Sequence, residues 1–598
     1  MSSSSTDPHR WTVRGFWLSF WLGAATLVFG TLGVLKYEQQ HHQDPAHELG
    51  AVYAALQMLI LHTPHFEKGA NAWLEAGRWC GVAFFSLTTA NLVWRRLRRG
   101  EHLIWLTRMK DHYVICGLGQ KGSEILQSLF CRDPRAKAIV IDPNPDAQSA
   151  QVLQGRRVVL LQSDATQPTS LQRARVALAR QIIIVTPADD TNVAAAVAVR
   201  TQLAGRTTSR IPCHVHLSDI DLRETLEQWD ESGHLPKSGC QMHFFDVFDN
   251  EARRVLCEHP LDGEGIAPNS SERVHVGILG FGRMARSLAL RAVKMGHFAN
   301  GQPIRVSVVT RDATMERERF LFRYPALADD SSARELLGMM EFHAGEAESL
   351  TTRELLLHWA SEPDTRLHLY VCLDDDARAV EVAIRLRTIL AEHGSRSLHV
   401  RIRSRGSLAT MLEYSSAGNA RLVPFGMVED SCGDEAYLRQ HNEDLARAIH
   451  HQFVKARLAD SDRRPETDPA LRDWDNLRED LRESNRQQAD HLPLKMRAIG
   501  CEVVPISDPR PPLTRFSPEE IEWMSPMEHS RWNAERLLAG WRQGSPSNKD
   551  LRINENIVPW NRLSPNVQHY DRDTVANIPN LLAQDAVQRK VVRKAASK

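Results

Sequence analysis

An apolar strand, a glycine turn and the start of a helix run together in YVICGLGQKG, Tyr113–Gly122, and again in VHVGILGFGRMA, Val274–Ala285. Nothing else in the chain limits its fold as sharply. A strand that feeds a helix through such a turn returns to a parallel neighbour by a right-handed crossover. In the first copy Gly117, Gly119 and Gly122 form GxGxxG around Leu118. The first glycine allows the tight turn, the second lets backbone approach a pyrophosphate, and the third lets the helix pack on the strand. The helix N-terminus then offers free N–H groups to a phosphate. The next strand, KAIVIDPNP, ends in Asp142, roughly 20 residues after the turn, where an acid is placed to bind ribose hydroxyls. RVVLLQSDAT ends near Asp164 and Ala165, and QIIIVTPADDTN near Thr186. Buried-type β runs separated by helical stretches predict a parallel α/β sheet. Its ligand would sit at the carboxyl ends of the strands, where Gly117, Asp142, Asp164 and Thr186 converge. A Rossmann-type fold that keeps this shape and binds nothing is the competing reading.

The whole pattern recurs. LHLYVCLDDDARAVEVAIRLRTIL echoes QIIIVTPADDTNVAAAVAVRTQL, LHVRIRS echoes CHVHLSD, and FHAGEAES stands where QSDATQPT stood. The second copy carries Gly280, Gly282 and Ala285, a GxGxxA turn. Its second strand, IRVSVVTRD, ends in Thr310 and Arg311 rather than an acid. Arginine there favours a phosphate over a ribose hydroxyl, or marks a copy that has lost its ligand. The drift of its other acidic positions favours the second, structural reading.

Ahead of these copies, Gly15–Leu35 holds no charged residue, and about 20 apolar residues cross a bilayer as a helix. A signal peptide is the alternative, but the run is long and no clean small-x-small site follows. A shorter run, Trp79–Trp94, stops at Arg95, Arg96, Arg98 and Arg99. Arg10 and Arg14 precede the first run, and Glu38, Asp44, Glu48, Glu67 and Glu75 lie between the two. That asymmetry predicts a cell-membrane protein with both termini cytoplasmic. Trp17, Trp21, Trp79 and Trp94 suit interfacial anchoring. Gly50–Leu61 is uncharged but too short to cross, as a re-entrant or interfacial helix would be. Span, short helix, span is the layout of a two-span potassium-channel pore, and WLEAGRWCGVAFFSLTTANLV resembles the inner helix of that family. The resemblance implies spans at about 15–36 and 77–95, a re-entrant segment at about 50–62, and a monovalent cation, potassium, as cargo. One departure stands out: LHTPHFEKG follows the short helix, with no glycine pair after Thr63 to build a TVGYG-like filter. His41, His42, His47, His62 and His65 crowd this loop, but no metal-ligand spacing supports a site there, so they read as solvated.

Both glycine-turn copies resemble the TrkA-N, or RCK, domain through GLGQKG, IDPNP, SDAT and TPADDTN, over about Lys110–Pro424. The resemblance implies a cytosolic regulatory ring, commonly of four chains, that binds NAD(H) or another adenine nucleotide (ATP or ADP). Gly117, Leu118, Gly119, Gly122, Asp142, Asp164, Ala165 and Thr186 would hold it, and Gly280, Gly282, Ala285 and Arg311 are the matching set in the second copy.

Beyond Gly426, DWDNLREDLRESNRQQADHLPLKMRAIG is charged and helical, with leucines spaced for one face. SDPRPPL marks a boundary. FSPEEIEWMSPMEHSRWNAERLLAGWRQG then starts with a Ser517 N-cap and Pro518. With NIVPWNRLSPNVQHYDRDTVANIPNLLA it is similar to the small helical RyR domain, which implies a ligand-sensing module, with His529, Trp532, Arg536, Trp541 and Trp560 as the candidate site. Catalysis by His529, Glu528 and Glu535 lacks a nucleophile or metal set.

The expected chain is therefore α/β and multidomain: a two-helix transmembrane pore-like domain (1–110), tandem Rossmann-like domains (111–262 and 272–427), a helical connector (428–512) and an all-α terminal domain (513–598). Lys+Arg and Asp+Glu both number 74, so nothing in the bulk charge points to nucleic acid. Nine cysteines without a CxxC pair exclude a zinc ribbon or disulfide scaffold. Three functions fit. One is a ligand-regulated channel, another a non-conducting membrane-anchored sensor or scaffold, and the third a membrane-tethered NAD-dependent oxidoreductase. The last lacks a recognisable substrate domain.

Overall fold

The computed structural model describes residues 8–41, 48–62, 69–145, 153, 157–206, 210–219, 222–223, 225–226, 239–328, 333–390, 397–404, 406–414, 421–427, 442–458 and 468–594. The chain divides into two compact units, Met1–Met109 and Lys110–Lys598.

The first unit is three helices: α1 (Pro8–His41), α2 (Glu48–Leu59) and α3 (Ala72–Arg108). Small residues let them touch backbone to backbone. A Cβ added at Gly77 would lie 2.7 Å from the Gly30 nitrogen, a contact only glycine permits. Asn71 caps α3 by accepting from Leu74 N (2.9 Å) and donates to Gly33 O (2.8 Å), tying α3 to α1. Among the described residues, one helix segment, Trp17–Gln40, is long and apolar enough to cross a membrane, with mean hydropathy 1.8. The expected second span lies inside α3, and the expected re-entrant segment corresponds to α2. Leu49, Trp79 and Trp21 stand largely exposed on this unit, at 81%, 70% and 65%. His42, His47, His65 and the segment after Thr63, where a filter would fall, lie outside the described residues.

The second unit holds two six-stranded sheets. The first comprises β1 (His112–Cys116), β2 (Ala138–Ile141), β3 (Val158–Leu161), β4 (Ala179–Ile184), β5 (Ile211–His216) and β6 (Cys240–Phe245). Every pairing is parallel and the order is β3-β2-β1-β4-β5-β6. β1 and β2 are buried at every position, as central strands covered on both faces must be. The second sheet comprises β7 (Arg273–Leu279), β8 (Arg305–Thr310), β9 (Met339–Ala344), β10 (Thr365–Val371), β11 (Ser397–Arg401) and β12 (Arg421–Phe425). Its order, β9-β8-β7-β10-β11-β12, repeats that of the first. The duplication visible in the sequence is thus a duplication of topology.

The terminal third departs from expectation in two ways. It is not all-α: strand Cys501–Pro505, in the expected connector, pairs antiparallel with Arg589–Arg593. The non-local pairing joins segments that the sequence presents as separate domains. One hydrophobic core runs from Ala252 through Val276, Leu288, Leu492, Met524 and Leu538 to Val591, so the second Rossmann-like copy, connector and terminal residues share it. The connector helix Glu479–Ala498 also buries Arg486, Asp490 and Lys495 rather than leucines alone. Arg253 meets Asp490 (2.6 Å) and Glu483 (2.8 Å), and Lys495 meets Glu528 (2.6 Å). Buried charge is tolerated here because each group has an opposite partner.

Candidate functional site

β1 ends at Cys116 and the chain turns at Gly117 with φ +103°, a conformation that strains any side chain. Helix α4 (Gln120–Arg132) follows, with Gly119 at its N-cap and no side chain capping it. A Cβ at Gly122 would lie 2.0 Å from Gly117 O, so the helix rests directly on the turn. A Cβ at Gly119 would meet nothing within 4 Å. The turn is therefore closed beneath and open above, with free helix N–H groups at its mouth.

The sheet order reverses between β1 and β4, the place where open α/β sheets bind ligands. Asp142, past β2, reaches the turn: its Oδ2 accepts from Leu118 N at 2.6 Å and its Oδ1 from Asn144 N at 2.8 Å. These charge-assisted bonds fix the lip of the turn. Thr186, past β4, lies against Gly117, whose added Cβ would be 3.1 Å from Thr186 N. Thr186 N and Oγ1 both donate to Asn192 Oδ1, at 2.8 and 2.7 Å. Asp164 is exposed past β3 and accepts from Thr166 N, while Ala165 is buried. The structure thus brings Gly117, Leu118, Gly119, Gly122, Asp142 and Thr186 together, and sets Asp164 and Ala165 beyond the next strand.

Four further groups gather here that the sequence did not single out. Lys121 Nζ donates to His216 Nε2 at 3.1 Å. The same imidazole lies 4.0 Å from Asp189 and 3.9 Å from Asp246. Burial, reinforced by Lys121 and Arg283, lowers the His216 pKa to about 3. Burial and then Asp249 push the Asp246 carboxyl up to about 7. The repeat of CHVHLSD was the only trace of His216 in the sequence. Its meeting with Lys121 depends on the fold.

In the second copy, Gly280 has φ +90° and Ala285 is fully buried. A Cβ at Gly282 would meet the Asp374 carboxylate at 3.5 Å, so an acid stands where a phosphate would approach. Arg311 is largely exposed and 3.6 Å from Glu346.

In the terminal region His529 is buried. Its Nε2 donates to Val558 O (2.8 Å) and its Nδ1 lies 3.4 Å from Asp571. Burial raises the Asp571 pKa, with the His529 hydrogen bond opposing. His529 stacks on Trp532 and lies 6.0 Å from Trp560. Arg536 lies over Trp532 (5.8 Å) and Trp541 (5.2 Å), and Arg572 over Trp560 (5.3 Å). All five expected residues therefore form one half-buried ladder of rings and cations, the geometry of cation–π contact. Glu528 and Glu535 instead bind Arg531.

Two parallel sheets, each wound from a glycine turn, define a doubly wound domain of the nucleotide-binding type. Residues 113–226 are a TrkA-N domain. A curated protein of Methanothermus fervidus, described as uncharacterized, is 30% identical over 88 residues, 15% of this chain. The match spans 14% of that relative's length. Among solved structures, GsuK bound to ADP is 14% identical, with 70% of this chain and 96% of that chain covered and a TM-score of 0.35. The GsuK channel bound to NAD is 12% identical, with 86% and 89% covered and a TM-score of 0.37. The dipicolinate synthase of Bacillus halodurans is 12% identical, with 54% and 94% covered and a TM-score of 0.19.

Proposed function

We propose that this chain is a membrane-anchored, channel-like protein whose first Rossmann-like domain binds a nucleotide and thereby biases a cation pore, potassium being the expected ion. The observation that carries the reading is the open space over Gly119, at the mouth of a TrkA-N glycine turn and beside the Asp142 carboxylate. The second copy serves as structure, since Asp374 guards its turn. The ring-and-cation ladder from Trp541 to Arg572 takes a second ligand. Chains assemble as tetramers in the cell membrane with both termini cytoplasmic. A nucleotide moves the gate only by binding its two states unequally; about 1–3 kcal/mol of coupling changes affinity by roughly 5- to 150-fold. No turnover is part of this reading, so a bound reduced dinucleotide stays reduced.

The test is potassium flux from liposomes holding the full chain, with and without ADP. Flux that changes with ADP supports the proposal. ADP binding with no flux under any nucleotide supports the second reading, a membrane-anchored sensor, which the lack of a glycine pair after Thr63 favours.

A further inference from the structure

The two halves of the first crevice differ. Doubly wound sheets offer one nucleotide seat on each side of the strand reversal, and a dinucleotide spans both. On the β1–β3 side the seat is open: space above Gly119, Asp142 at the end of β2, and an exposed Asp164 past β3. On the β4–β6 side the seat is filled. Lys121 leaves α4, passes 5.2 Å over the Phe248 ring and donates to His216 at the end of β5. His216 is 1% exposed. Asp189, from the helix after β4, approaches the same imidazole while accepting from Ser218 N (3.1 Å) and Asp219 N (2.9 Å). Asp246, past β6, approaches from the far side while accepting from Phe248 N (2.9 Å). Thr186, which a second ribose would meet first, is committed to Asn192.

We infer that the first crevice accepts a nucleoside diphosphate and rejects a dinucleotide, because Lys121, His216, Asp189 and Asp246 close its second half. The inference rests on the nucleotide reading above and narrows its ligand. A second nucleoside would have to break the Lys121–His216 bond and strip water from charges that then lack partners. ADP ends at the second phosphate and needs none of this.

The experiment is calorimetric titration of the full chain in detergent with ADP and, separately, with NAD. ADP is expected to bind at least roughly tenfold more tightly, the equivalent of about 1.4 kcal/mol. NAD binding as tightly as ADP overturns the inference and leaves the nucleotide reading standing. Binding of neither overturns that reading and this inference with it. Lys121→Ala, with Lys121→Met as its second form, should narrow the gap by at least threefold at an unchanged melting temperature. An unchanged gap in both variants overturns the role given to the cluster.

Discussion

Gly119 and Gly122 sit three residues apart in one turn, yet alanine should do opposite things to them. At Gly122 the new methyl would lie 2.0 Å from Gly117 O, a backbone atom that cannot step aside. Ordinary contact needs more than 3.4 Å, so α4 must lift off the turn by over an ångström. Overpacking of this kind costs about 1–3 kcal/mol, and alanine's better helix propensity returns at most about 1 kcal/mol. Gly122→Ala should therefore lower stability by about 1–2 kcal/mol and the melting temperature by several degrees. Nucleotide affinity should fall with it, because the turn is displaced. At Gly119 the methyl enters open space at ordinary backbone angles, φ −72°. Stability should change by less than about 1 kcal/mol. The methyl nevertheless occupies the space a pyrophosphate would take, so ADP affinity should fall at least roughly tenfold. Melting curves and ADP titrations on both variants make the check. A Gly119→Ala protein that binds ADP as tightly as the parent would refute the seat assigned here.

Other perturbations read other parts of the structure. Asp142→Ala removes the acceptor of the Leu118 N–H; ADP affinity measured by titration should drop by about 1–2 kcal/mol, roughly 5- to 30-fold. Glu528→Ala leaves Lys495 and Arg531 buried without their shared carboxylate; denaturant unfolding should show a loss of about 3–5 kcal/mol. Burial lowers the pKa of His214, His216, His275 and His297 to about 3, and of His368 to about 4. The unfolded chain protonates these rings near pH 6.5 while the folded chain refuses the proton. Stability is thus full above pH 6.5 and lost as pH falls towards 4 and 3, by about 1.4 kcal/mol per pH unit for each histidine. Urea midpoints measured from pH 7 down to pH 5 should decline steadily.

What was legible in the sequence was local. The strand–turn–helix units announce themselves in YVICGLGQKG and VHVGILGFGRMA because apolar runs and glycine spacing act over a few residues. Asp142 was legible for the same reason, sitting at the next strand end. The residues that were missed belong to contacts between distant segments. CEVVP, Cys501–Pro505, is a strand only because Arg589–Arg593 lies beside it. Arg486, Asp490 and Lys495 look like a solvated charged face until Glu443, Arg253 and Glu528 are brought to them. Lys121 reads as a surface residue of a glycine turn, and only the order of strands puts His216 within its reach.

The shared core of the second sheet and the terminal third bears on how the chain is made. The first sheet has all its strands once Phe245 is synthesised, and can close behind the emerging chain. The second has its last strand at Phe425, but part of its covering comes from residues as late as Val591. At about 5–20 residues per second, the nascent second sheet waits roughly 10–30 s with that apolar face uncovered. During that interval it is the stretch most in need of a chaperone, and a ribosome stalled between Phe425 and Val591 would leave it exposed to aggregation.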